Sequence, residues 1–592
     1  MHKSNRWRVP AATIAAAMAA TAFIAGPASA DVPTNPDGTR TYLGTSTTAS
    51  DPYAFRCSQS GFPQNIGYCI VSSSDMTIGP IRTTGGGKNY YPMNTTKIFY
   101  SDDGVDWQAP KTALTESKLG LPNGADGQPP NHLWAPAVRY KHTLSGGVHK
   151  AEYWLYTPDV TNADDALSSR IFVTYSTDIG TQFGNTNLPG TNVKVAQVTG
   201  APAGLYMSDP EVFTNSTVLM DSDQSKDYLL WANGDNDTCG DISIRKMTSP
   251  TAIQSFTTAQ QDSVRISVTG IPTAWAKCQP KKGRFYNSAA PTATVSWPYI
   301  EGASMFHRDV FDYAPPQPAL PGPYILLLSI KPWTTPTECG TDKGQPGTAN
   351  EVIAYATSTS VTGPFAYQGI IMCGSSTEWT NQPTIMEVQA GDDDGNDRLV
   401  LVYHDGPDPA TQTNNARQRR LHSECLYAYN TKFMMVTRSA PQAINLSGDR
   451  QWCLNADRPV TFMGDNQKYY KVASDGSVTA SAASILPESM FDWKTMNSST
   501  YNEGYVSGYN GKWLQLRRNS GDGLWARGAS WGDWEQFDNQ FSASGFGWGN
   551  YRDNRGQYVK VNTNTGTIGA GGTTPLGSSV GQGRSALMLL AD

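Results

Sequence analysis

The chain has 592 residues, a formal net charge of −6 and only 16% charged side chains. That length exceeds what one hydrophobic core fills and calls for at least two domains, while the acidic balance argues against nucleic acid as the main partner. With Gly 56, Pro 38, Trp 16 and Tyr 28, the composition is that of a turn-rich all-β protein with aromatic surfaces, a texture common among carbohydrate binders.

Residues 1–30 read as a signal peptide. Lys3, Arg6 and Arg8 form a positive start, Ala11 to Gly26 is an apolar run, and Ala28-Ser29-Ala30 is a small-residue cleavage site. No other stretch reaches the roughly 18 apolar residues of a membrane span. The expectation is a secreted protein with no membrane partner. The eight cysteines (Cys57, Cys69, Cys239, Cys278, Cys339, Cys373, Cys425 and Cys453) then suggest disulfides. None has Cys-x-x-Cys spacing, and Cys57 with Cys69, flanking a short hairpin-like loop, is the pair expected to bridge.

From Asp31 to about Ala440, short apolar strands alternate with turns. Tyr68 to Ser72, Lys97 to Ser101 with Trp107, His132 to Tyr140, Tyr153 to Tyr156 and Arg170 to Ser176 come first. A group opening at Asp209-Pro210 continues through Tyr228 to Ala232. The next opens at Glu301 and continues through Tyr324 to Ser329 and Val352 to Ala356; the last opens at Thr380 to Met386 and continues through Leu399 to Tyr403. About five groups of three or four strands with little helical periodicity predict a β-propeller over residues 31–440; one or two β-sandwiches are the competing arrangement. In a propeller the first strand of each blade lines the channel, so equivalent strand ends meet at one mouth.

Residues 441–592 change texture. Lys468 to Val472, Lys512 to Leu516 and Gln557 to Val561 are three similar strands about 45 residues apart, each preceded by an Asn- or Gly-containing turn. A unit of this kind cannot bury its own apolar face, so three must pack together, and a β-trefoil is expected. The fold class is therefore all-β, a five-bladed β-propeller followed by a β-trefoil. Trp534 is expected in that core, while Trp525 and Trp531 would either bind polysaccharide or fill it.

The stretch Trp297 to Met305 places Glu301 after an aromatic run and before Gly302, read as a strand that stops at an acid on a rim. Asp209 in Ser208-Asp209-Pro210-Glu211-Val212-Phe213 and Asp51 in Ser50-Asp51-Pro52-Tyr53-Ala54-Phe55 are edge acids of the same kind. Cleaving an acetal needs a proton on the leaving oxygen and a nucleophile at the anomeric carbon. Two carboxyl groups in different protonation states supply both.

These elements resemble glycoside hydrolase family 43 over about 400 residues: Asp-Pro near the start, Trp134-Ala135-Pro136, Ser208-Asp209-Pro210 with Val212-Phe213, and Ile300-Glu301-Gly302, in that order. The resemblance implies a five-bladed propeller that hydrolyses arabinose- and xylose-containing glycans with inversion, as an α-L-arabinofuranosidase or β-xylosidase. It makes Asp51 the general base, Asp209 the residue that orients and tunes the acid, and Glu301 the acid, with Asp75 and Asp103 as substitutes for the base. The C-terminal segment is similar to fascin-like trefoil modules through Asn510-Gly511-Lys512-Trp513-Leu514, Leu524 to Arg527 and Trp534 to Phe537. Two positions depart from the family pattern: Ala137 stands where Asp is usual, and Gln382 where His often helps hold a channel ion. No cofactor is therefore expected, although the resemblance allows a structural calcium.

Trp134, Phe55, Phe306 and Trp231 are candidates for a sugar platform, with Trp231, inside Leu229-Leu230-Trp231, patterned for the core. His404, after the last apolar strand, either faces the channel or closes a turn. Arg417, Arg419 and Arg420 read as a solvated run. The expected partner is a polysaccharide or oligosaccharide met by a monomer. A non-catalytic glycan-binding propeller is the alternative.

Overall fold

The computed structural model describes residues 49–75, most of 93–275, 298–339 and 351–374, then 381–389, 397–405, most of 419–435, and the strands within 459–590 named below. The proposed leader, the 440/441 boundary, Asp103, Trp297, Trp531 and Trp534 lie outside the described residues. So do Cys239, Cys278 and Cys453.

Between residues 49 and 425 five sheets follow one another in the chain. The first runs Ser50–Gln59, Phe62–Asp75, Met93–Ser101, Lys111–Thr115; the second starts with Ala137–Ser145, the third with Ser208–Thr214, the fourth with Tyr299–His307 and the fifth with Pro383–Gln389. These first strands contact one another in the order first to second, second to third, and so on, with the fifth returning to the first.

The apolar packing follows the same ring. Cys57, Val71 and Leu114 of the first sheet meet Val138, Tyr153 and Phe172 of the second. Tyr156 and Val173 meet Val212, Leu229 and Trp231 of the third. Leu230 and Ile244 meet Met305 and Leu328 of the fourth, and Leu327 and Tyr355 meet Leu401 and Tyr403 of the fifth. Val400, Val402 and Leu421 then close on Ala54, Ile70 and Phe99 of the first. Strands such as Tyr324–Lys331 and Val352–Ser358 are buried along nearly their whole length. Both faces of each such strand are covered by neighbouring sheets, which explains continuous apolar runs in place of alternation.

Cys57 and Cys69 are bridged, as expected, and Cys339 is bridged to Cys373. The strand expected over His132 to Tyr140 begins only at Ala137. His132 makes a single bridge to Met93, and Trp134-Ala135-Pro136 turns into the strand.

In the C-terminal region, strands Tyr469–Val472, Trp513–Arg517 and Val559–Val561 occur at the three predicted repeats. Tyr470 and Val472, Leu514 and Leu516, Val559 and Val561 share one apolar centre with Phe462, Phe491 and Ile568. Seven strands close on themselves, because Phe491–Thr495 pairs with both Pro459–Met463 and Glu503–Gly508 at the ends of a paired series. This region abuts the ring: Tyr469, Ala482 and Ile485 pack in the layer that holds Tyr355 and Tyr403. Trp525 is half-buried, with the Arg527 guanidinium 3.8 Å from its ring centre, a cation–π contact rather than a core position.

Candidate active site

The three acids sit near the starts of the first strands of the first, third and fourth sheets. Glu301 does not end its strand, as the sequence suggested. It is the third residue of Tyr299–His307, and the strand runs on past Gly302. The rim geometry comes from a local irregularity. Strand pairing slips between Ser50 and Tyr53, between Ser208 and Glu211, and between Glu301 and Ser304. Asp51 (φ 51°), Asp209 (φ 45°) and Gly302 (φ 56°) occupy left-handed backbone at these points, as does Ala135 (φ 39°) just before Ala137–Ser145. A left-handed, bulged residue re-aims side chains at a strand end, and such strain persists only where the surroundings enforce it. Glu301 precedes its left-handed residue, whereas Asp51 and Asp209 are theirs. A Cβ on Gly302 would lie 3.0 Å from Gln382 Cγ and 3.2 Å from Ser329 Oγ, so glycine is required there on both counts.

Asp51 is buried. Its backbone N–H donates to His404 Nδ1 at 3.0 Å. Because an amide can only donate, His404 Nδ1 must be the unprotonated nitrogen, and in the neutral ring the proton sits on Nε2. His404 therefore belongs to the channel wall beside Asp51, with Nδ1 3.3 Å from Oδ1. Burial raises the Asp51 pKa; the Arg419 guanidinium opposes this, Asp75 adds to it, and the Ser50 hydroxyl and Ala135 N–H favour the carboxylate.

Arg419 is not solvated. It is 3% exposed and lies between two acids. Its Nη1 is 3.3 Å from Asp51 Oδ1, while Nη2 donates to Asp75 Oδ1 at 2.8 Å and its backbone N–H donates to Asp75 Oδ2 at 2.9 Å. Asp75, a substitute for the base in the sequence reading, is thereby committed to Arg419.

Glu301 and Asp209 interact with each other and with Asp51. Burial raises the Asp209 pKa well above the carboxylate range, and the charges of Glu301 and Asp51 add to it. Burial also raises Glu301; the Tyr299 hydroxyl, which donates to Oε2, opposes this, and Asp51 adds to it. Interaction between two groups is symmetric, so the charges of Asp209 and Glu301 each work against ionisation of the other. Tyr299 and Glu301, two residues apart on one strand, project to the same face. The charge of Glu301 also acts on buried Glu351, whose Oε2 accepts the Asn381 N–H at 2.8 Å.

Trp134 is half-buried, stacks on His132 with ring centres 4.3 Å apart, and leads directly to the Ala135 N–H on Asp51. It belongs to the acid end. Phe55 and Phe306 do not. They line a cavity at the other end of the first strands, with Tyr53, Arg139, Glu211 and Glu387. None of the three acids borders that cavity. Four to five residues of strand separate Phe55 and Phe306 from the acids, roughly 13–17 Å at about 3.3 Å per residue, while the near wall of the cavity, Tyr53 and Glu211, begins two residues along. Trp231 is fully buried between the second and third sheets, its Nε1 donating to Asn233 at 2.7 Å.

At the channel level Gln382 and His404 stand near the acids, and no group of three His, Cys, Asp or Glu side chains placed to hold a metal occurs among the described residues. No helix there is long and apolar enough to cross a membrane.

Arg419, Tyr299 and Glu351 were not legible as site residues. Tyr299 carried a usable signal, its i, i+2 spacing from Glu301. Glu351 carried a weaker one, an acid just before an apolar strand.

No model of a known protein family matches the chain, and no curated protein matches it. Solved structures with a similar course include a family 43 β-xylosidase/α-arabinofuranosidase from a compost microbial metagenome, 17% identical with a TM-score of 0.38, covering 67% of this chain and 98% of that one. An α-L-arabinofuranosidase from Lactobacillus brevis is 14% identical, with a TM-score of 0.38 and coverage of 67% and 97%. A family 32 β-fructofuranosidase from Bombyx mori is 11% identical, with a TM-score of 0.36 and coverage of 94% and 92%. At such scores these likenesses do not bear on what this chain cleaves.

Proposed function

We propose that the chain is a secreted glycoside hydrolase that cleaves arabinose- or xylose-containing plant cell-wall polysaccharides by single-displacement inversion, as an α-L-arabinofuranosidase or β-xylosidase. The ring of five sheets is read as a five-bladed β-propeller, and the closed C-terminal sheet as a β-trefoil that holds the enzyme on polymer. One observation carries the reading: Asp51, Asp209 and Glu301 come from three different sheets, in the order the sequence motifs prescribe, and interact electrostatically at one end of the ring.

In this mechanism Glu301 gives its proton to the glycosidic oxygen as the bond to the anomeric carbon breaks. Water attacks that carbon from the opposite face and passes its proton to Asp51. Asp51 suits the base role because Arg419 and the Ala135 N–H stabilise its anion. Burial and neighbouring carboxylates favour a retained proton on the Glu301 side. Trp134 offers a ring to the apolar face of a sugar.

The test is turnover of aryl arabinofuranoside, aryl xyloside and debranched arabinan by wild type, Glu301→Gln and Asp51→Asn, with the first-formed anomer read by NMR. Loss of activity in both variants and an inverted product support the reading. Near wild-type turnover in both variants, or oligosaccharide binding without turnover by wild type, sinks it.

A further inference from the structure

The five first strands line a cavity at the end of the ring away from the acids. Its volume is about 200 Å³, far above the roughly 10–15 Å³ that admits one water. Every sheet contributes to it: Phe55 and Arg56 from the first, Arg139 from the second, Glu211 from the third, Phe306 from the fourth and Glu387 from the fifth. Some of its charges are engaged. Arg139 Nε donates to Asp227 at 2.9 Å, and Asp221, also on the wall, accepts from Lys226 Nζ at 2.6 Å. Two side chains keep binding capacity in hand. Glu211 is 4% exposed; its Oε1 accepts the Met305 N–H at 2.6 Å, but its Oε2 has no hydrogen-bond partner among the described residues. Arg56 lays its guanidinium over the Tyr68 ring, 4.2 Å from the centre, and its buried Nε and Nη1 likewise have no partner there. The cation–π contact uses the guanidinium face, so the in-plane N–H groups still need acceptors. Burying polar groups unpaired is costly, and where a native fold does so the missing partner is commonly water or a ligand.

We propose that this cavity is a second carbohydrate site, separate from the acids, that takes one free sugar ring. Its chemistry selects a neutral ligand rich in hydroxyl groups. A carboxylate would suit Arg56 but bring a second acid beside Glu211 and Glu387, and an ammonium would meet Arg56 and Arg139; either leaves a buried charge facing its like. A hydroxyl donates and accepts, so it satisfies the Arg56 N–H groups and the Glu211 carboxyl in either protonation state. Burial pushes the Glu211 pKa to about 8, so at neutral pH this carboxyl adds a donor without adding a charge. Phe55 and Phe306 are only partly buried, and aromatic rings at a pocket wall stack on the apolar face of a sugar. The choice of pentoses as probes rests on the function proposed above; the cavity and its unpaired groups do not.

The experiment titrates the full chain with D-xylose, L-arabinose and xylitol, and reads binding by saturation-transfer NMR. Trp134→Ala, which weakens the acid end, is expected to keep binding one of the two pentoses. In that background Arg56→Met should weaken the remaining affinity about 10-fold, the scale of a hydrogen bond to a charged group, and Phe306→Ala about 5-fold. Glu211→Leu should weaken it about 10-fold, whereas Glu211→Gln, which keeps a donor and an acceptor, should stay within about 3-fold. Xylitol has the hydroxyls but no ring and should bind at least about 10-fold more weakly. Loss of all pentose binding in Trp134→Ala overturns the second site, as does residual binding that Arg56→Met and Phe306→Ala leave unchanged. Equal binding of xylitol overturns the assignment to a sugar ring. Should Glu211→Leu fail to fold, by its melting curve, Arg56→Met and Phe306→Ala decide. No readout here uses turnover: an active Glu301→Gln removes the reading above and leaves this site standing, while pentose binding confined to the acid end removes this site alone.

Discussion

Arg419 and Asp51, 368 residues apart in the chain, meet at 3.3 Å at one end of the ring, and the same guanidinium grips Asp75 at 2.8 Å. A buried arginine shared by two carboxylates favours the anion of the one that must accept a proton, and it also ties the fifth sheet to the first.

Removing that cation should be costly in two readouts. Arg419→Met is expected to reduce kcat/KM about 100-fold and to move the acid limb of the pH profile upward, because Asp51 loses the charge that pulls its pKa down. Leaving Asp75 buried without its guanidinium counter-charge should cost roughly 3–5 kcal/mol in denaturant unfolding. Arg419→Lys should recover part of the stability but less of the activity, since it lacks the fork that holds two acids. An unshifted acid limb in Arg419→Met would contradict the link to Asp51.

The two ends of the channel should separate kinetically. Trp134→Ala is expected to raise KM by about 10-fold, the scale of a lost stacking contact, whereas Phe306→Ala should change it less than about 3-fold while lowering stability through cavity formation. Steady-state kinetics on an aryl glycoside and a melting curve for each variant check this. The reverse order would place the sugar in the Phe55–Phe306 cavity.

Gly302→Ala should damage the acid without touching it. The left-handed φ costs a residue with a Cβ about 1–2 kcal/mol, and the new methyl meets Gln382. The expected outcome is a more than about 10-fold loss of kcat with KM little changed, because a displaced Glu301 delivers its proton poorly. Gln382→Ala in the same chain should recover part of the loss by relieving the contact but not the backbone strain.

Stability should fall as pH rises from about 5 to 8. Glu211 is buried, its Oε1 accepts the Met305 N–H at 2.6 Å, and burial pushes its pKa to about 8. The folded protein thus binds a proton that the unfolded chain has released above its ordinary value of 4.5. This contribution is complete below that value and is lost as pH climbs to about 8, by up to about 1.4 kcal/mol per pH unit. Glu211→Gln should flatten the decline, as measured by urea unfolding at several pH values. An unchanged slope would mean that Glu211 is ionised in the folded state.

Replacing both Cys57 and Cys69 by Ser should cost about 3 kcal/mol, the scale expected for freeing a short loop in the unfolded chain. The strands Ser50–Gln59 and Phe62–Asp75 that the bridge joins also carry Asp51 and Asp75. Thermal unfolding and the acid limb should therefore shift together.

The amino-acid sequence determined a good deal by itself. Apolar runs bounded by turns specified the strands, because β-branched and aromatic side chains favour a pleated, buried surface. The three C-terminal repeats were legible from their spacing. Asp51, Asp209 and Glu301 could be picked out because each stands next to a Pro or Gly, residues that interrupt regular strand backbone. The Cys57–Cys69 bridge was legible because its loop is short. What only the tertiary structure decided is which distant groups share an environment. Arg419, in a run that looked solvated, is buried between Asp51 and Asp75. Phe55 and Phe306, only four to five residues beyond the acids, belong to the opposite end of the ring because a strand carries its side chains about 3.3 Å further with each residue. Glu351 falls beside Lys331, itself paired with Tyr299, only because sheet pairing sets Val352 beside Ile330. Backbone preference and burial pattern act over a few residues and can be read along the chain; charge pairing depends on separation in space, which the folded ring alone supplies.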